Sequence, residues 1–257
     1  MAIEIRNMSD IPWTDSGKSG VLSQNLRYDT SAGRYFGAAR FEPYSRSGVH
    51  RHLGPAVSYM LEGSLSDHDN DVREGQAYIN LTGAVHDVIC YRSALAVARV
   101  DGAILYPNDE GIFYRLGDAA AAAESVDDTL GQPTNLYVTV ADLTEHSATL
   151  DGVSVRHIYD YSGDAWDARF VQLTLAPGAV LPTHSVAGLV DWFVVAGEVT
   201  INNQRAGSGS YVMVEPDSAM SVVSRYGCRL LAWSDGPARW QHAPPHDLYG
   251  FGLESVQ

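Results

Sequence analysis

The sequence predicts an all-β protein built as two β-barrels in tandem, and three observations carry that expectation. Short segments rich in β-branched and aromatic residues recur along the chain, glycines and prolines punctuate them, and the chain resembles itself when shifted by 134 residues. Many short strands at even spacing, with almost no helical periodicity, argue for sandwiches or barrels.

The shift aligns residues 36–102 with 170–236 without a gap and leaves ten identical positions. These are Phe36/Phe170, Pro43/Pro177, His50/His184, Gly54/Gly188, Gly63/Gly197, Gly75/Gly209, Val88/Val222, Ala98/Ala232, Asp101/Asp235 and Gly102/Gly236. Glycine and proline mark turns, so half of the identities are turn markers. Between them the strands read, in order, YFGAARF, VSYMLEG, QAYINL and ALAVARV in the first copy, and RFVQLTL, DWFVVAG, SYVMVEP and RLLAWSD in the second. A weaker match of GVLSQNLRYD to GVSVRHIYDY extends the copies to roughly 19–102 and 151–236. The turn residues Gly131-Gln132-Pro133 place the division there, giving domains 1–130 and 131–257. The alanine run over 118–126 is the one segment that favours a helix.

With 45% hydrophobic and 19% charged residues, the composition is that of a folded globular protein. A net charge of −14 and the lack of any basic cluster speak against nucleic-acid and membrane-surface binding. The start, MAIEIRNMSDIPW, has no basic segment followed by an apolar run, and no stretch approaches the ~20 apolar residues of a membrane span, so a cytoplasmic location is expected. Cys90 and Cys228 lie singly inside apolar stretches and read as buried free thiols.

The chemistry concentrates in the first copy. In GVHRHLGP, His50 and His52 stand two apart on an extended strand, so both imidazoles project from one face. His86 follows the next strand and turn, in EGQAYINLTGAVH. Three imidazoles converging in a small barrel suit iron, nickel, zinc, copper or manganese, with positions left open for water, substrate or dioxygen.

These residues resemble the cupin superfamily. Its first motif, His-x-His with a later glutamate and a closing glycine, is represented by His50, His52 and Gly63; its second by Gly75, Gly83 and His86, with Leu81-Thr82-Gly83 where Pro-x-Gly is usual. The resemblance implies a tandem of jelly-roll-like cupin barrels with one divalent metal ion in the first. It departs at Ala56, which stands where the family's metal-binding glutamate belongs, so a three-histidine site is expected. Such a site keeps the full charge of the ion and favours anionic or enolate ligands. Glu62 and His68 are candidates for an additional ligand, although a charged residue before a turn glycine and a histidine in the hairpin SLSDHDND each read more simply as solvated. By strand parity, Ser58, Met60 and Tyr78 are candidates to line a pocket; no residue suggests itself as a general base.

In the second copy His184 matches His50, but Val186 and Met220 replace the other two histidines. One imidazole cannot hold a metal unaided, so the second barrel is expected to be degenerate, with His184 a hydrogen-bonded core residue. His146, His157, His242 and His246 fall outside the motifs.

Within the superfamily, HRHLGP through YPNDEG is similar to dioxygenases that cleave acetylacetone or 2,4′-dihydroxyacetophenone, whereas the N-terminal stretch and the second copy are similar to ChrR-type cupin domains. The first likeness implies an iron(II) dioxygenase that binds a small oxygenated compound as its enolate; the alternatives are a zinc, nickel or manganese isomerase, lyase or hydrolase, and a non-enzymatic metal- or ligand-sensing module. Analogy with other two-barrel cupins adds a homodimer in which MAIEIRN is exchanged.

Overall fold

A computed structural model describes residues 2–31, 33–68, 70–107, 113–115, 135–161, 167–241 and 248–249. The alanine run, the expected boundary at 131–133, His242 and His246 lie outside the described residues. Apart from the short 3-10 turns Met8–Asp10 and Val140–Asp142, the described regular structure is β, and the chain has the tandem cupin fold that the repeat predicts. No helix among the described residues is long and apolar enough to cross a membrane.

Residues Pro12–Thr139 form one compact unit, and Met1–Ile11 together with Val140–Gln257 form the other. In the first unit the main sheet runs, from edge to edge, through Asn135–Thr139, Gln76–Asn80, Ala56–Ser66, Ala94–Val100, Arg34–Phe41, Val21–Asp29 and Thr14–Lys18. A second sheet orders Val85–His86, His50–His52, Ile104–Pro107 and Phe113–Arg115. Ala94–Val100 is buried at every position, which is why its sequence, ALAVARV, shows no polar alternation.

The second unit repeats this order with Ser210–Val214, Val190–Ile201, Cys228–Asp235, Ala168–Leu175 and Val153–Tyr161. Its edge beyond Ser210–Val214 is Ile3–Asn7, in antiparallel register from Ile3 opposite Val214 to Asn7 opposite Ser210. The segment expected to serve in strand exchange thus completes a sheet of its own chain, in the place that Asn135–Thr139 takes in the first unit.

The repeat reaches below residue identity. Pairing slips past Leu61 in the first unit, between Leu95/Glu62 and Ala96/Met60, and past Val195 in the second, between Val194/Leu230 and Ala196/Arg229. These bulges bend the longest strand of each barrel at matching points. The amide of Asp101 donates to the Pro55 carbonyl at 2.8 Å, and that of Asp235 to Leu189 at 2.9 Å. Buried Asp101 also accepts from Arg34 and Arg99, at 2.7 and 3.2 Å, tying the ends of two central strands together.

Apolar side chains fill both units. Trp192, Leu173, Val194, Leu230 and Val212 centre the larger cluster, whereas Met60, Tyr78, Phe41, Val72 and Cys90 form one in the first barrel. Both cysteines are free and buried. Burial raises the pKa of the Cys90 thiol and pushes that of Cys228 up to about 12, which disfavours the thiolate in both.

Candidate metal centre

His50–His52 pairs on one side with Val85–His86, placing His86 opposite His50, and on the other with Ile104–Pro107, placing Ile104 opposite His52. Opposed residues of an antiparallel pair share a face, as do residues two apart on a strand, so all three imidazoles face one side. The turn before His86 is held by reciprocal bonds: the His52 amide donates to Ala84 at 2.9 Å and the Gly83 amide to His52 at 2.8 Å. Gly83 takes φ 91°, a conformation open to glycine.

The three side chains are buried, and their ligating nitrogens lie within 4.8 Å of one another. Nδ1 of His50 donates to the Gly48 carbonyl at 2.7 Å, which leaves Nε2 as its free lone pair. Nε2 of His52 stands 3.0 Å from Nε2 of His86. Two nitrogens each ~2.1 Å from one ion, at right angles, are separated by about 3.0 Å, against about 3.4 Å for a tetrahedral angle. The His52 and His86 nitrogens are thus close enough to bind one ion, and the three imidazoles together would form a donor set suited to a divalent metal. Burial, then the adjacent His86 ring, pushes His50 down to about 3; burial and His50 push His52 well below the ordinary histidine range. Both rings are accordingly neutral at pH 7, the form that binds metal.

Behind His86 stands a residue that the sequence reading passed over. Asp67, its side chain wholly buried, accepts from His86 Nδ1 at 2.9 Å. It also takes a short hydrogen bond from the Tyr78 hydroxyl, and others from the His68 amide at 2.7 Å and Asn135 Nδ2 at 3.3 Å. Burial alone would raise this carboxyl, but the donors from His86, Tyr78 and the His68 amide together hold it well below the usual carboxylate range. An ionised Asp67 keeps the His86 proton on Nδ1 and its lone pair on Nε2. Burial, and next Asp67, push the Tyr78 hydroxyl far up, so it remains a donor. Replacing Asp67 by asparagine should weaken metal binding about 10- to 100-fold, read by competition with a chromophoric chelator. Unchanged affinity would reduce Asp67 to packing.

Of the other sequence-predicted residues, Glu62 is exposed and His68 is 56% exposed with Nδ1 on Asp67 at 2.8 Å; neither joins the three imidazoles. Tyr78 touches His86, with its oxygen 2.6 Å from Nδ1. Met60 is buried in the apolar cluster, and Ser58, opposite Tyr78, is half-buried.

The first unit also holds a cavity of about 430 Å³ that those three residues do not line. It follows the face of the paired strands Val21–Asp29 and Arg34–Phe41, from Val21 and Phe41 past Ser23 and Ala39 to Tyr28 and Tyr35. Ala39 is opposite Ala96 and Ala96 opposite Met60, so this is the inward face. Its far wall includes Ile104, which is opposite His52, and Tyr106, whose ring lies 5.5 Å from that of His50. Lys18 lines it as well, hydrogen-bonded to the Tyr106 hydroxyl.

In the second unit His184 keeps the orienting bond of its counterpart, Nδ1 donating to the Pro182 carbonyl at 2.8 Å. Its neighbours are Met220, directly opposite, and Trp240, with rings 4.6 Å apart. Burial lowers its pKa. His146 and His157 stack on each other at 5.7 Å at the sheet edge.

Residues 2–102 match the family model of the ChrR cupin-like domain. No curated protein matches the chain. Among solved structures, a candidate dioxygenase from Nostoc punctiforme superposes with a TM-score of 0.71 at 8% identity, covering 95% of this chain and 84% of that one. Oxalate decarboxylase from Bacillus subtilis gives 0.60 at 12% identity, covering 93% and 80%. A nickel(II) complex of a bacterial pirin from Escherichia coli gives 0.60 at 14% identity, covering 91% and 99%.

Proposed function

We propose that this chain, which has the tandem cupin fold, is a metal-dependent dioxygenase acting on a small oxygenated compound, with iron(II) held by His50, His52 and His86. The observation that carries the reading is the convergence of three buried imidazoles, with no carboxylate joining the group among the described residues, beside a cavity of substrate size. When bound, the ion supplies two positive charges that no carboxylate ligand diminishes, and open positions for substrate and dioxygen.

The chain's own residues do the rest. The Gly48 carbonyl and the Asp67 carboxylate fix which nitrogens of His50 and His86 carry protons. Met60, Val21 and Phe41 keep the inward face apolar and exclude water. Ile104 and Tyr106 bring the cavity wall against the imidazoles, so that a molecule in the cavity is oriented toward them.

The test is dioxygen uptake by iron-loaded protein offered β-diketones and hydroxyacetophenones. Uptake in step with substrate loss is the expected result; turnover without uptake, supported by zinc, nickel or manganese, would replace the dioxygenase with an isomerase, lyase or hydrolase. The match of residues 2–102 to the ChrR cupin-like domain favours a second reading, a metal- or ligand-sensing module. A sensor needs a closed site, and the described residues offer three ligands. X-ray absorption of the zinc-loaded protein separates the two: three nitrogens with water oxygens support the enzyme, four protein ligands the sensor.

A further inference from the structure

Of the 17 basic residues in this chain 16 are arginine, and Lys18 is the only lysine. Lysine is among the residues least often buried, yet this one is half-buried and lines the 430 Å³ cavity. Its strand, Thr14–Lys18, forms the edge of the main sheet, and a register slip between Asp15 and Lys18 sets Lys18 opposite Val21, whose side chain lines the same cavity. The ammonium donates to the Tyr106 hydroxyl and lies 4.1 Å from the centre of that ring. Tyr106 in turn packs against His50.

No carboxylate among the described residues pairs with Lys18. Asp87, the acid that acts on it from nearby, is already bonded by Arg46 and approached by the Ser47 hydroxyl at 3.4 Å. An ammonium drawn from water and left without a counter-ion is costly. Burial accordingly lowers its pKa to about 8, against an opposing pull from Asp87. Among the described residues only one acid, exposed Asp15, lines the cavity, together with the hydroxyls of Ser16, Ser23 and Thr30 and the apolar side chains of Val21, Phe41 and Ile104. This protein of net charge −14 thus contains a cavity lined by a half-buried positive charge, beside Tyr106, whose ring packs against His50.

We infer that the cavity binds a small organic oxyanion, a carboxylate, enolate or phenolate on a compact apolar body, with the charged oxygen on Lys18 and Tyr106 and the body along Val21, Phe41 and Ile104. The inference rests on the proposed function in that it names the substrate class of the same site. Lys18 and Tyr106 supply the charge-assisted hydrogen bonds that select the anion over a neutral compound of the same shape. Asp15, Ser16 and Tyr28, 63% exposed, mark the solvent end through which the ligand enters.

Benzoate and benzyl alcohol share a ring and differ in charge, and both are to be titrated calorimetrically into zinc-loaded protein, wild type and Lys18→Met. Wild type should prefer benzoate by about tenfold or more, and Lys18→Met should lose that preference with its zinc content unchanged. Equal preference in the two proteins overturns the inference. Because Lys18 is the only side-chain amine, acetic anhydride labelling followed by peptide mass analysis reads it directly. Saturating benzoate should shield Lys18 several-fold and benzyl alcohol should not; unshielded labelling overturns the inference even if Lys18→Met fails to fold. Failure of the metal reading shows separately, as wild-type protein without zinc, since the labelling comparison can also be run on metal-free protein.

Discussion

Alanine at His52 is expected to lower the metal content of the protein from one ion per chain to below about a tenth, at ion concentrations that saturate the wild type, as measured by elemental analysis. Removing one of three ligands discards a large share of a binding free energy that is ~10 kcal/mol or more for a protein zinc site, so affinity should fall by about a hundredfold or more. His52 is the informative choice because its loss should spare the fold. The ring is buried, and its Nδ1 has no hydrogen-bond partner among the described residues. Its Nε2 faces the nitrogen of His86 at 3.0 Å. Without metal, such an imidazole contributes packing but leaves a polar atom unsatisfied, two effects that oppose each other. The urea midpoint of the metal-free variant should therefore stay within about 1–2 kcal/mol of the wild type. The matching His184→Ala change should leave metal content untouched, because His184 faces Met220 and Trp240 and meets no second imidazole among the described residues. A His52→Ala protein that keeps its full complement of metal would move the site elsewhere.

Much of this was legible in the sequence because the repeat carries the information twice. Several of the paired glycines lie where the backbone makes close approaches. A Cβ on Gly63 would meet the Ser93 carbonyl oxygen at 2.0 Å, and one on Gly197 the Gly227 carbonyl oxygen at 2.1 Å. A Cβ on Gly102 would fall 2.6 Å from the Gly54 nitrogen, and one on Gly188 2.5 Å from the Asp235 carbonyl oxygen. At these four positions a side chain would collide with backbone, whereas Gly75 and Gly209 have room and share instead a positive φ. The three histidines were readable for a similar reason: parity and motif spacing fix which face a strand residue occupies.

Asp67 was not readable. It sits in SLSDHDND among Asp69 and Asp71, and only the path of the hairpin decides which carboxylate reaches His86. Parity placed Ser58, Met60 and Tyr78 on the inward side, but the cavity opens farther along the sheet, beyond Ala94–Val100, where the smaller side chains of Ser23 and Ala39 leave room. Lys18 did leave a signal in composition, as the only lysine beside 16 arginines, although nothing local marked its strand as part of the site.

The second large effect follows from those close approaches. Alanine at Gly197 should destabilise the protein by about 3 kcal/mol or more, visible as a fall of about 10 °C in Tm. The φ of 77° alone costs an L-residue about 1 kcal/mol. The larger part is the collision with the Gly227 carbonyl, which leads directly into Cys228–Asp235, a strand paired on both sides and central to the sheet. Relieving the contact means shifting that strand or breaking the 3.2 Å bond from the Glu198 amide to the same carbonyl. Gly75 provides the control: its φ is 81°, nearly the same, but nothing lies within 4 Å of a Cβ placed there. Gly75→Ala should therefore pay the conformational cost alone, about 1 kcal/mol. Equal losses in the two variants would mean that backbone conformation, and not the approach of the two strands, keeps glycine at this point of the repeat.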